Sequence, residues 1–94
     1  MISYKGGSGV SIEEAIIIDG AEDTFEGVSA EYNFIDMIRE LRGEEVKLIG
    51  QSLHHDGGKS YDKMEIEFEN GKTAVIWFDI TGFFGKFNLS PEEN

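Results

Sequence analysis

The chain has no cysteine. That excludes a disulfide framework, a thiol nucleophile and a zinc–thiolate centre. Proline occurs once, at Pro91, so nothing of that kind interrupts residues 1–90. Basic residues are scarce: 8 Lys and Arg stand against 19 Asp and Glu, a formal net charge of −11. Nucleic-acid binding needs clustered Lys and Arg along the phosphate track, and no such cluster exists. No apolar run approaches the roughly 20 residues that span a bilayer. The first residues lack the charged-then-apolar pattern of a signal peptide. The expectations are a cytoplasmic protein with no nucleic-acid and no membrane partner.

What is present fits one small domain over residues 1–94, of a length that buries a single modest core. The acidic excess is spread along the chain and not gathered in a tail. Such a surface keeps a protein soluble, and it also attracts a basic protein.

The strongest local pattern runs from Tyr61 to Ile80. Met64, Ile66 and Phe68 alternate with Lys63, Glu65 and Glu67, the period of a half-buried strand. Asn70-Gly71 supplies a turn, and Thr73 to Ile80 forms a second, β-branched and aromatic arm. Two registers compete. A two-residue loop pairs Asp62 with Asp79, setting two carboxylates face to face. A three-residue loop with Gly71 left-handed pairs Ile66 with Ala74 and Met64 with Ile76. That register puts the apolar set on one face, and it is the one expected. Val75 and Trp77 then lie on the opposite face from Ile76 and Phe78, so the last strand is apolar on both sides.

Upstream, Met1 to Val10 is glycine- and serine-rich and reads as a flexible leader. Ser11 with Glu14 fits a capping box and one short helical turn. Ala15 to Ile18 reads as a buried strand. From about Val28 to Arg42 the period becomes helical, with Phe34, Ile38 and Leu41 as a stripe and Ile35 and Met37 beside it. Ser29 caps this helix, or Asp23 with Glu26 does so one turn earlier. Glu31 lies near the positive end of its dipole, and Gly43 ends it. Glu45 to Leu53 reads as a strand with a bulge or close approach at Gly50. His54 to Lys59 reads as a turn. Phe83, Phe84 and Phe87 are expected to fold over the second face of the last strand, or else to form an exposed patch. Residues 88–94 read as a loose tail or, at Ser90-Pro91-Glu92-Glu93, the start of a helix.

The fold expected is α+β in two layers: one main helix on an antiparallel sheet in β-α-β-β-β order. That layout resembles cystatin-like and other two-layer domains, although no glycine-rich protease-binding wedge stands out beyond the leader. Ala15–Ile18, Gly27-Val28-Ser29-Ala30-Glu31-Tyr32, Gln51-Ser52-Leu53, Tyr61-Asp62 and the run Phe78 to Lys86 together resemble a recurring pattern in small bacterial proteins of uncharacterised function. The resemblance covers most of the chain, carries no named family and transfers no functional residue.

Catalytic groups are hard to assemble. There is no nucleophile elbow and no Ser-His-Asp arrangement, so no enzyme and no cofactor is expected. His54 and His55 are the sole histidines and, with nearby Asp56 and Asp62, the one candidate metal set. Adjacent strand residues point to opposite faces, which argues against shared ligation. The reading reached is a small acidic protein-binding module, of the inhibitor or immunity type, that masks a basic partner such as a nuclease. Its candidate contact residues are Glu65, Glu67, Val75, Trp77, Phe83 and Phe84. Two alternatives stand beside it. One is a structural domain that homodimerises through Val75 and Trp77. The other is a metal-dependent enzyme using His54 and His55.

Overall fold

The computed structural model describes residues 1–86. Phe87 and the Ser90-Pro91-Glu92-Glu93 helix signature lie outside the described residues. The fold is α+β: one helix packs on a five-stranded mixed sheet. In chain order the elements are β1 (Ser3–Gly6), β2 (Ile16–Asp19), α1 (Thr24–Arg42), β3 (Val46–Asp56), β4 (Lys59–Phe68) and β5 (Thr73–Asp79). The sheet order is β1-β2-β5-β4-β3. No helix among the described residues is long and apolar enough to cross a membrane.

The β4–β5 hairpin adopts the three-residue register. Ile66 pairs with Ala74 and Met64 with Ile76, and Asp62 faces Phe78. Gly71 takes φ 83°, and the Phe68 N–H donates to the Lys72 carbonyl at 2.9 Å. Hydrophobic alternation selects this register because a one-residue slip of one strand would put Met64 and Ile66 on the opposite face from Ile76 and Phe78. All four are buried, Met64 and Phe78 completely. Each such side chain contributes about 1.5–3 kcal/mol of burial energy.

Strand β3 completes the antiparallel half of the sheet and is longer than its sequence suggests. It runs through His54 and His55 to Asp56, which pairs with Lys59 across a Gly57-Gly58 turn. Both glycines have positive φ, as a two-residue hairpin turn requires. The two histidines are thus strand residues, not turn residues. The register of β3 shifts between Leu48 and Gly50, a bulge at the place where Gly50 marked one. A Cβ on Gly50 would sit 2.9 Å from Glu65 Oε1.

Two expectations are corrected at the other edge. The sheet is not purely antiparallel, because β2 pairs with β5 in parallel, Ile16 with Phe78 and Ile17 with Asp79. The long route through α1, β3 and β4 returns the chain to β2 in the same direction. The glycine-rich leader also contributes structure: Ser3–Gly6 pairs antiparallel with β2, as Tyr4 with Ile18. The following loop then closes on β5, where the Trp77 N–H donates to the Gly9 carbonyl at 2.8 Å. Gly9 is buried, and a Cβ there would meet Ile16 at 2.9 Å. Glycine here serves close approach. The Ser11–Glu14 segment forms a turn, closed by Glu14 N–H to the Ser11 carbonyl at 3.1 Å, and not a helix.

Helix α1 starts at the earlier of the two caps. Asp23 is the N-cap and accepts from the Glu26 N–H at 2.9 Å. Gly43 closes it in the left-handed region at φ 65°. Arg39 and Arg42 occupy the last turn, where the helix dipole favours cations. The buried face is Gly27, Ala30, Glu31 and Ile35, with Phe34 and Ile38 partly buried. Leu41 (85 % exposed) and Met37 (44 %) lie outside it, contrary to the stripe expected from spacing. The helix sits further toward its N-terminus on the sheet than a stripe ending at Leu41 implies.

Phe83 explains that placement. It is 2 % exposed and belongs to the core cluster with Phe78 and Ile80. A Cβ added to Gly27 would approach its ring within 2.3 Å. Phe83 therefore fills the space between helix and sheet. It does not cover the second face of β5, and no helix among the described residues does so.

Candidate functional site

Strand alternation divides the sheet into two faces. Asp62, Met64 and Ile66 on β4, with Ile76 and Phe78 on β5, look toward α1. Tyr61, Lys63, Glu65 and Glu67 on β4, with Val75, Trp77 and Asp79 on β5, look the other way. Among the described residues the second face is the open one. Four of the expected contact residues, Glu65, Glu67, Val75 and Trp77, come together there, and Glu65 stands directly opposite Val75. Phe83 does not join them, because it is buried in the core. Phe84 does not either. It is 43 % exposed and packs edge-on against His55 at 5.3 Å, at the margin of the helix-side face.

The centre of the open face is aromatic. Trp77 lies 4.9 Å from the His54 ring and 6.5 Å from the Tyr61 ring, centroid to centroid. The Lys63 ammonium sits 5.6 Å from the Trp77 ring centroid, within cation–π range. His54 is held by Ser52, whose hydroxyl lies 2.8 Å from Nε2. Val75 is half-buried and Ile17 is 40 % exposed on the same face.

An acidic cleft lies at each end of this strip. One is an open cleft of ≈ 370 Å³ lined by Glu45, Glu67 and Glu69 together with Lys47 and Phe68. Glu69 is fixed there, since one of its oxygens accepts from the Glu45 N–H at 2.8 Å. The other is an open cleft of ≈ 210 Å³ where the leader loop meets β4 and β5. Asp79, Glu13, Tyr61, Ile17 and Lys59 line it. Asp79 is 7 % exposed, and its Oδ1 accepts from the Thr81 N–H at 3.0 Å. The face is not uniformly negative, because Lys5, Lys47, Lys59 and Lys63 stand on it. Lys5 is paired with Asp19 at 2.9 Å, and this ammonium holds the Asp19 carboxyl below its usual range.

The histidine pair does not converge. His54 packs at a tilt against Trp77 on the open face, while His55 Nδ1 lies 3.0 Å from the Ser60 hydroxyl on the other. Among the described residues no three His, Asp or Glu side chains are grouped to hold a metal ion.

A second acidic feature lies under the helix. Glu31 has no exposed surface, and neither carboxyl oxygen has a hydrogen-bond partner among the described residues. Burial pushes its carboxyl up to about 10, and the neighbouring Asp62 carboxyl adds to the rise. Glu31 is thus a neutral acid at pH 7. Reading it as a dipole-favoured surface residue missed this. The available signal was its spacing: it lies four residues from Gly27 and from Ile35, on the buried stripe.

No family model, no curated protein and no solved structure matches the chain.

Proposed function

We propose that this protein is a binding module whose open sheet face docks a basic protein, in the manner of an inhibitor or immunity-type protein that masks its partner. The observation that carries this reading is the layout of that face: Trp77, Tyr61 and Val75 at the centre, with an acidic cleft at each end. An aromatic anchor inside a polar rim is the usual anatomy of an interface hot spot. The net charge of −11 adds a long-range field that speeds encounter with a cationic surface. The apolar part of the strip gives the affinity, and the clefts give orientation.

The test is capture of partners from native cell extract on immobilised protein, at low and at high salt, with wild type and Trp77→Ala side by side. Retention of a basic protein at low salt, its release at high salt and its loss in the variant support the reading. Retention that ignores both salt and Trp77 would sink it.

The exposed apolar strip also favours a second reading, self-association. Lys47, Lys59 and Lys63 beside Glu65, Glu67 and Asp79 allow two copies to pair through this face. A concentration-dependent dimer by sedimentation, abolished by Trp77→Ala, would move the assignment to that reading.

A further inference from the structure

Asp79 is more than nine-tenths buried, yet it belongs to the open face and lines its smaller cleft. A buried carboxylate needs several donors or a counter-ion to offset its lost hydration. Among the described residues it has one donor, the Thr81 N–H at 3.0 Å on Oδ1. Its second oxygen has none. Lys59 lines the same cleft but forms no ion pair among the described residues, where the pairs are Lys5–Asp19, Arg39–Asp36 and Arg42–Glu44. Oδ2 thus remains open to the cleft, with no donor and no counter-ion among the described residues.

The rest of the cleft has the shape of a single side chain's seat. Its ≈ 210 Å³ lies below the roughly 300–1,000 Å³ of small-molecule pockets. Tyr61 stands directly opposite Asp79 across the β4–β5 pair and lines the cleft with it. Ile17, 40 % exposed, supplies an apolar wall, and Glu13 adds a second carboxylate at the rim.

We propose that this cleft receives one arginine side chain of the basic partner, with the guanidinium on Asp79 and Tyr61 and the methylenes along Ile17. The inference rests on the docking reading above and names the group that the face recognises. Arginine fits better than lysine because its planar fork donates in parallel to a carboxylate and stacks on an aromatic ring. Its stem also covers apolar surface. Lys59 competes with it for Asp79, so removing Lys59 tightens the seat.

The experiment is an NMR titration of the full ¹⁵N-labelled chain with N-acetyl-arginine methylamide, and in parallel with the lysine analogue. The expected result is saturable shifts at the Gly6, Gly7, Tyr61 and Asp79 amides, stronger for arginine. Asp79→Asn keeps an oxygen for the Thr81 N–H, so it preserves the fold. It weakens binding roughly tenfold, as loss of one charge-assisted pair does. Lys59→Met strengthens it. No saturable shift at these amides, or unchanged binding in Asp79→Asn, overturns the proposal. Shifts confined to Glu45, Glu67 and Glu69 also overturn it, while leaving the basic-partner reading standing.

Discussion

Glu31 occupies a place on α1 where helical spacing calls for an apolar side chain, four residues from Gly27 and from Ile35. It is kept neutral by burial, and that has a thermodynamic consequence. Its carboxyl titrates near 4.5 in the unfolded chain and near 10 in the folded one. Between those values the unfolded chain releases a proton that the folded chain keeps. Stability is therefore full below about pH 4.5 and falls as pH rises toward 10, by about 1.4 kcal/mol per pH unit for one whole proton. Glu31→Gln removes this dependence. We expect the variant to gain roughly 1–3 kcal/mol at pH 7, less than the full linkage because a buried amide still needs partners. Urea unfolding of both proteins at pH 5, 7 and 9 checks it. The gain must grow with pH; a gap that is constant or reversed contradicts the assignment. Glu31 was not legible in the sequence because a glutamate early in a helix also fits the dipole. Only the packed position separates the two roles.

Helix α1 and the β4–β5 hairpin were legible to different depths. The hairpin register could be read because one alternative splits Met64 and Ile66 from Ile76 and Phe78 across the two faces and the other buries all four together. The helix was legible as a helix, and Asp23 with Glu26 marked its start. Asp23→Ala is predicted to cost about 1 kcal/mol, the usual value of an N-cap carboxylate. Thermal melts read this as a drop of several degrees for a domain this size. An unchanged melting temperature would mean the first turn is held by something else, such as the Thr24 N–H bond to the Lys86 carbonyl at 2.7 Å. Strand β1 was not legible, because a run with Gly6, Gly7 and Gly9 looks mobile until its partner is known. The parallel β2–β5 pairing was equally hidden, since alternation fixes the face of a strand but not its neighbour. The fate of Phe83 turned on Gly27. Its missing side chain opens the space that Phe83 fills, and nothing local announces that.

At the scale of the whole molecule, a two-layer domain with one helix covers one face of its sheet. Because Phe83 reinforces the helix side, the surplus apolar surface of β5 stays on the open side. Composition pointed toward a basic partner, and strand parity put Glu65, Glu67, Val75 and Trp77 on one surface. The clefts beside them were beyond sequence reasoning, because each joins segments far apart in the chain: Glu45 with Glu69, and Glu13 with Asp79. The measurement that bears most directly on the account is a hydrogen-exchange footprint of the protein, free and bound to the basic partner it captures. The account predicts slowed exchange in the residue 6–15 loop and along β4 and β5, with the outer surface of α1 unchanged. Protection confined to the helix around Tyr32, Met37 and Leu41, with the sheet unaffected, would contradict it.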